Sequence, residues 1–198
     1  MIHRLRKKRR VFKARPGENQ RSENMIDAIV YTSNTVYTEK YAKMLGEKTD
    51  LPVFSLKEAE KQLAKDGEIL YLGWMMAGKI QGCDKAAQRY RVAAVCGVCM
   101  GATGSQIEDA RKATKLPEDL PVFTMQGGFD MKKLRGVYKM MMSVMAKTVG
   151  KKLENKTDRT PEEDQMLEML FHGGDFVREE NTEAVMEWYN GYRSNEEK

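Results

Sequence analysis

The sequence predicts an α/β domain in which helices cover both faces of a parallel β-sheet. Short apolar runs rich in β-branched residues alternate with segments of helical periodicity from residue 26 to residue 125. The connections between them are short, which favours parallel strands joined by right-handed crossovers. The run over residues 91–98 (RVAAVCGV) is small and apolar almost throughout, as is typical of a central strand buried on both faces.

Five strands and four helices alternate over this part of the chain. The predicted strands cover residues 26–31, 51–56, 68–74, 91–98 and 121–125. The predicted helices cover residues 35–48, 57–65, 81–90 and 105–115. The first helix repeats apolar residues at close to helical spacing and ends in a lysine-rich turn, which suits the negative end of a helix dipole.

The chain beyond residue 126 predicts helices. Thr160, Pro161 and Glu163 have the N-cap, first-turn and third-residue positions of a capping box, so they mark a helix start. The predicted elements are a long helical stretch over 131–152, a helix from 161 to about 171, a turn over 172–175 and a last helix over 180–192. The residues predicted to share an apolar or inward face are Leu134, Val137, Tyr138, Met141, Val144, Met145, Val149, Val185, Trp188 and Tyr189.

Charge is unevenly distributed along the chain. Nine basic and two acidic side chains fall within residues 1–24, so this segment has a formal charge of +7. The whole chain has a formal net charge of +5, so the remainder carries −2. The segment lacks apolar periodicity and predicts a disordered basic tail, or a misassigned start before Met25, ahead of a folded unit over 25–198. Because basic residues do not dominate the body, a nucleic-acid partner is not expected.

The first strand-to-helix turn concentrates polar side chains where a parallel strand ends and a helix begins. A helix N-terminus offers free N–H groups and a favourable dipole to a phosphate, and Ser33, Thr35 and Thr38 can add hydroxyl donors. A serine or threonine before a helix is also a common N-cap, but this turn holds more polar residues than a cap needs. The turn therefore predicts a phosphate site at the carboxyl edge of the sheet.

The run Ser33-Asn34-Thr35-Val36-Tyr37-Thr38-Glu39 resembles the phosphate loop of the flavodoxins, with Val36 where that family has glycine. In that loop a hydroxyl residue, any residue, a second hydroxyl residue, glycine, any residue and threonine follow one another. The resemblance implies a flavodoxin-like doubly wound fold with five parallel strands in the order 2-1-3-4-5. It also implies FMN as cofactor, with its phosphate held by Ser33, Asn34, Thr35, Val36, Tyr37 and Thr38.

Three further loops complete the flavin site that this resemblance implies. In flavodoxins the loops after the third and fourth strands contact the two faces of the flavin, and the tyrosine that is usual in the second loop is absent here. The assigned contacts are Trp74, Met75, Met76, Ala77 and Gly78 after the third strand, and Cys99, Met100, Gly101 and Ala102 after the fourth. Gly127 and Gly128 follow the fifth strand, where they suit either a close backbone approach to the ligand or a turn into the long helix.

Cys96 and Cys99 have CxxC spacing, which in other contexts indicates redox or metal chemistry. A thioredoxin-type site needs its first cysteine at a helix N-terminus, whereas Cys96 lies in an apolar strand. A zinc site needs a second pair of ligands, for which only distant residues are available. The pair is predicted to be buried and unreactive, and no metal is expected. Three cysteines give no disulfide framework, which favours a reducing cytoplasm.

The chain from Gly127 to Tyr189 resembles one branch of the superfamily, the flavodoxin-like, menaquinone-linked protoporphyrinogen oxidases. That branch has a small-residue turn, a long basic and methionine-rich helical insertion, placed here at about 129–160, and a final helix carrying a tryptophan such as Trp188. Its insertion is linked to substrate or membrane contact, so the basic face and methionine stripe over 131–152 predict contact with a membrane or a quinone. Core packing explains the same stripe equally well. The basic residues are Lys132, Lys133, Arg135, Lys139, Lys147, Lys151 and Lys152.

The function that these resemblances imply is an FMN-dependent oxidoreductase with a small-molecule or protein redox partner. No catalytic side chain is assigned, because the flavin would carry the chemistry. The alternatives are a non-enzymatic flavodoxin-type electron carrier and a flavodoxin-fold binding domain that has lost FMN. No run reaches the ~18 apolar residues of a membrane span, so the expected location is the cytoplasm or the cytoplasmic face of a membrane.

Overall fold

The computed structural model describes residues 26–130, 134 and 136–194 of the 198-residue chain. The predicted tail over 1–24 lies outside the described residues, as do three of the predicted basic residues, Lys132, Lys133 and Arg135. No helix among the described residues is long and apolar enough to cross a membrane.

The core of the domain is a sheet of five parallel strands. They are β1 (Ala28–Thr32), β2 (Val53–Ser55), β3 (Glu68–Met76), β5 (Arg91–Cys99) and β6 (Val122–Gln126), and β4 (Lys79–Ile80) pairs antiparallel with the end of β3. The order across the sheet is β2-β1-β3-β5-β6. Counting only the parallel strands, this is the predicted order 2-1-3-4-5, and the doubly wound, flavodoxin-like fold is confirmed.

Helices pack on both faces of this sheet. They are α1 (Tyr37–Thr49), α2 (Leu56–Gln62), α3 (Cys83–Arg89), α4 (Ile107–Thr114) and, at the end of the chain, α8 (Glu183–Ser194). Helices α1 and α8 share one core with the sheet, and α2, α3 and α4 share the other. Strand β3 supplies both, since Leu70 and Leu72 point to the first core and Ile69 and Tyr71 to the second.

The segment after the third predicted strand is a β-hairpin rather than an open loop. Strand β3 continues past Trp74 to Met76, the chain turns at Ala77 and Gly78 with φ of 48° and 74°, and β4 returns beside it. The returning strand crosses Gly73, where a Cβ atom would lie 2.6 Å from the carbonyl oxygen of Gln81. A side chain at Gly73 would therefore collide with the hairpin.

The predicted long helix over 131–152 is divided in the structure. Its parts are α5 (Gly136–Met145), a π-helical turn (Ala146–Gly150) and α6 (Lys151–Glu154), followed by α7 (Pro161–His172). The predicted capping box of α7 is confirmed, because the Glu163 amide donates to the Thr160 hydroxyl at 3.3 Å and the Thr160 amide donates to the Glu163 carboxylate at 3.0 Å.

The apolar face predicted for this stretch is only partly covered. Leu134 is buried and Tyr138 half-buried, but the side chains of Val137, Met141 and Val144 are 56%, 46% and 56% exposed. Core packing therefore does not account for the exposed part of the stripe, because the buried side of α5 is turned about a quarter of the helix circumference away from it.

The predicted turn over 172–175 contains a short strand. Strand β8 (Gly174–Asp175) pairs antiparallel with β7 (Gly128–Phe129), which directly follows β6. We call the chain between these two strands, residues 130–173, the excursion. A 3-10 turn (Glu180–Thr182) then leads into α8.

Candidate functional site

The candidate site lies at the carboxyl edge of the sheet, where the loops that follow the parallel strands meet. The chain steps from β1 to its neighbour β2 on one side, and β3 lies on the other side of β1. The direction of winding therefore reverses beside β1. Ligands of open α/β sheets bind at such a switch point, so the turn between β1 and α1 is the first part of the site to consider.

The N-terminus of α1 faces this edge without a capping side chain. Its N-cap, Val36, has φ −93° and ψ −11° and makes no side-chain capping hydrogen bond. The Ser33 hydroxyl donates to the carbonyl of Thr35, which folds the turn over this helix end. Val36 needs no positive φ here, so a glycine is not required by the backbone. The 13-residue helix therefore presents its first N–H groups and its positive dipole end to the edge.

Two of the predicted phosphate-loop side chains are buried in the structure. Thr38 is 1% and Tyr37 is 5% exposed, whereas Ser33, Asn34, Thr35 and Val36 are half-buried. The sequence from Thr32 to Thr38 contains no charged side chain. The exposed part of the loop is therefore neutral and polar, and the donors that it offers are hydroxyl and backbone N–H groups.

The paired glycines after β6 make room for Tyr37. A Cβ atom at Gly128 would lie 2.5 Å from the Tyr37 ring, and one at Gly127 would lie 2.6 Å from Val98. Gly128 begins β7, and the Phe176 amide donates to the Gly127 carbonyl at 3.1 Å, so the pair leads into the excursion through a strand.

The base of the turn between β1 and α1 is fixed by a buried tyrosine. The hydroxyl of Tyr71 lies 2.8 Å from both the Thr32 hydroxyl and the Gln81 carbonyl. Since a carbonyl only accepts, the Tyr71 hydroxyl donates to Gln81 and accepts from Thr32. Burial raises the pKa of Tyr71 well above its usual range, so this hydroxyl keeps its proton.

The hairpin residues assigned to the flavin ring separate into two groups. Trp74 is half-buried, and its ring meets the ring of Tyr138 edge to face, with 5.1 Å between centroids and 89° between planes. Met75 packs into the core under α4, and Gly78 lies against Ala113 of that helix. The turn at Ala77 and Gly78 is thus directed toward α4, and Trp74 is the member of the group that meets the excursion.

The loop after β5 is tightly folded. The Cys99 thiol donates to the Gly101 carbonyl at 3.6 Å, and a Cβ atom at Gly101 would lie 2.9 Å from the Ser105 hydroxyl. Ala102 is exposed, while Met100 packs against the small cluster formed by Phe129, Leu134 and Met169. This loop therefore contacts the excursion as well.

All three cysteines are buried and free, as predicted for the CxxC pair. Burial raises the pKa of Cys83 to about 12 and raises those of Cys96 and Cys99 as well. The thiols are therefore protonated at neutral pH and are poor nucleophiles. Among the described residues, no three metal-ligating side chains come together.

The excursion covers one side of the site, which sequence patterns did not indicate. Tyr138 and Met142 of α5 and Met100 pack against the same cluster of Phe129, Leu134 and Met169. The side-chain amide of Gln126, at the end of β6, donates to Gln165 of α7 at 3.1 Å. Helical periodicity placed Tyr138 on an apolar face, but it carries no information on which distant residue that face would meet.

A second network fastens the C-terminal segment to the same edge. Asn181 donates to the Tyr41 hydroxyl at 2.6 Å and to the Phe176 carbonyl at 3.0 Å, and the Thr103 hydroxyl donates to the Asn181 side-chain oxygen at 2.7 Å. Three different parts of the chain, namely α1, the loop after β5 and the segment before α8, are thereby held together.

Comparison of the chain with protein-family models, with curated proteins and with solved structures gave no match. Its chemistry therefore has to be inferred from its own residues. The strand order, the crossovers and the helices on both faces establish a flavodoxin-like doubly wound fold.

Proposed function

We propose that this chain binds FMN and acts as a flavodoxin-like oxidoreductase, related to the protoporphyrinogen oxidase-like branch of that class. The observation that carries the proposal is the uncapped N-terminus of α1, which lies at the switch point of the sheet within a neutral, hydroxyl-bearing turn. That arrangement suits a phosphate ester, and Trp74 offers an aromatic surface on the next strand of the sheet.

In the proposed complex, the first-turn N–H groups of α1 and the hydroxyl of Thr35 hold the phosphate, and the Ser33 hydroxyl joins them by exchanging the Thr35 carbonyl for a phosphate oxygen. The Tyr71–Thr32 hydrogen bond keeps the turn in position from below. Trp74 and the folded loop over 99–102 border the ring, and the cluster around Met169 excludes water from that side. Bound flavin would supply the electron-transfer chemistry, and the protein would supply binding and orientation.

Two features favour an enzyme of the proposed branch over a carrier. Residues 25–198 have a formal charge of only −2, whereas carriers rely on a strongly acidic docking surface. The excursion also places a small apolar cluster beside the proposed ring site, next to which an apolar substrate or a quinone can bind. The redox partner in this proposal is therefore a small apolar molecule.

The visible absorbance of the purified protein tests the proposal. We expect bands near roughly 375 and 450 nm that remain after desalting, or that appear on addition of FMN, because a protein-bound flavin keeps its own chromophore. Oxidation of a quinol or a porphyrinogen by the loaded protein would then separate an enzyme from a carrier. A colourless protein that leaves the fluorescence of added FMN unchanged would contradict both roles and leave a domain that binds another ligand.

A second proposal concerns the exposed side of α5. Val137, Met140, Met141 and Val144 follow the spacing i, i+3, i+4, i+7 and are 46% to 64% exposed. Residues 131–153 carry seven lysines and arginines and no acidic residue. An apolar stripe among cations is typical of helices that lie in the surface of an anionic bilayer, so we infer that this stripe contacts such a membrane.

Sedimentation with lipid vesicles tests this contact. We expect binding to phosphatidylglycerol vesicles, weak binding to phosphatidylcholine vesicles, and at least about tenfold weaker binding for Met140→Glu/Val144→Glu, because two apolar side chains leave the interface. The matched control is Gln62→Glu/Gln88→Glu, which changes the charge equally at two exposed sites on α2 and α3. Equal binding of both variants, or no binding by the wild type, would contradict the contact.

A further inference from the structure

The proposed flavin site lacks one of its expected aromatic side chains. The loop after β5 reads Cys99-Met100-Gly101-Ala102 and offers no ring to a flavin. Trp74 is then the one aromatic residue in the set of loop residues assigned to ring contact. A site with a single aromatic surface would leave the second side of a planar ligand without a rigid apolar partner.

The structure brings a second ring to this place from a distant part of the chain. Tyr138 lies in α5, 64 positions after Trp74, and its ring is 5.1 Å from the indole between centroids. Its planar angle of 89° to the indole means that the two rings form a corner. A flat ligand parallel to one of them meets the edge of the other, and both contacts are favourable for aromatic systems.

Tyr138 is held in this position by packing against an apolar cluster. Tyr138 and Met142, one turn apart in α5, pack against the cluster of Phe129, Leu134 and Met169. Met100, from the loop that lacks a ring, packs against the same cluster. The excursion therefore delivers an aromatic side chain beside the loop that does not provide one.

We propose that Tyr138 is a flavin-binding residue, which forms with Trp74 an aromatic corner for the isoalloxazine ring. This assignment rests on the proposed function, since it deepens the description of that site. It predicts that the excursion is part of the cofactor site as well as a cover for it. It also predicts that the contribution of Tyr138 is to the ring and is independent of the phosphate.

Titration of FMN and of riboflavin, followed by quenching of flavin fluorescence, tests the assignment. Tyr138→Leu keeps apolar volume in the cluster but removes the ring, and we expect it to weaken both ligands about five- to tenfold. Tyr138→Phe keeps the ring, so we expect it to bind within about twofold of the wild type. The absorbance band of the bound flavin should shift in the leucine variant and not in the phenylalanine variant.

One control separates ring contact from a general loosening of the fold. Tyr192→Leu removes a tyrosine that packs against the other tryptophan, Trp188, at 5.2 Å on α8. We expect it to bind FMN as the wild type does, with thermal unfolding recorded for each variant.

Wild-type affinity in Tyr138→Leu, or an equal loss in Tyr192→Leu, would overturn the assignment while the flavin proposal stands. A wild-type protein that binds neither flavin would overturn both, and the first titration alone identifies that case.

Discussion

Replacing Thr35 with aspartate is expected to weaken FMN binding by about a hundredfold while leaving the fold intact. The half-buried side chain of Thr35 lies in the turn that precedes the uncapped N-terminus of α1. A carboxylate there would stand next to the phosphate, and two such charges at ~4 Å repel by about 4 kcal/mol near a protein surface before salt screening, which reduces the effect to about a hundredfold. The same carboxylate interacts favourably with the helix dipole, so we expect the unliganded variant to be equally stable or slightly more stable.

Comparison of two ligands and one matched variant makes this test specific. Riboflavin has no phosphate, so its affinity should change less than about twofold in Thr35→Asp if the charge acts at the phosphate. Thr160→Asp makes the same substitution at the N-cap of α7, at another helix start, and should leave FMN binding unchanged. An equal loss for riboflavin, or full FMN affinity in Thr35→Asp, would place the phosphate elsewhere.

The second large effect is expected from Gly73→Ala, which should lower the free energy of unfolding by about 3 kcal/mol. A methyl group at Gly73 would lie 2.6 Å from the backbone carbonyl oxygen of Gln81 and from a methyl group of Ile80. The returning strand of the hairpin cannot move away from Gly73 without breaking the hydrogen bond that the Gln81 amide donates to the Trp74 carbonyl at 2.9 Å. Urea denaturation followed by tryptophan fluorescence measures the change.

A neighbouring glycine supplies the control for that substitution. Gly97 is the register partner of Gly73 on β5, and a methyl group there would lie 2.5 Å from the sulfur of Met75. Because a methionine side chain can move aside, Gly97→Ala should cost only about 1 kcal/mol. Gly191 lies in α8 with no heavy atom within 4 Å of such a methyl group, and Gly191→Ala should stabilise the protein by up to about 1 kcal/mol. Equal losses at Gly73 and Gly97 would contradict the role of the hairpin.

Much of the fold could be predicted because its signals are local. The apolar runs that became β1, β3 and β5 are short, and each is followed by a turn that contains polar residues or glycine. The capping residues Thr160 and Glu163 marked the start of α7 to the residue. The hairpin after β3 was missed because Ala77 adopts a positive φ that alanine rarely takes, so its turn lacks the usual asparagine or aspartate signal.

The orientation of the stripe on α5 shows where periodicity stops being informative. Spacing predicts which residues share a side of a helix, but the partner of that side is set by tertiary packing. Val137, Tyr138 and Met141 were predicted to share one face, but Val137 and Met141 are exposed, whereas Tyr138 and Met142 contact the apolar cluster. A basic segment without acidic residues was the signal that favoured an exposed interface.

The candidate site was also predicted only in part. The turn over 33–36 and the loop over 99–102 lie at the carboxyl edge because parallel strands bring their ends together. Met75 and Gly78 point toward α4, since the hairpin continues the sheet on that side. Tyr138 and Gln165 reach the site from 12 and 39 positions beyond the end of β6, and no local pattern records such contacts.

The ladder between β7 and β8 has a consequence for the modular history of this chain. Phe129 and Gly174 are register partners, so the excursion leaves and re-enters the domain at adjacent points. The ends of a segment joined in this way are as close as those of a two-residue hairpin, and a tight turn can replace the segment without displacing β6 or α8. The position is therefore one at which an insertion can be gained or lost while the parallel sheet keeps its number of strands. The excursion and the rest of the domain can then diverge at different rates, because only the rest of the domain must fill a core on both faces of a sheet.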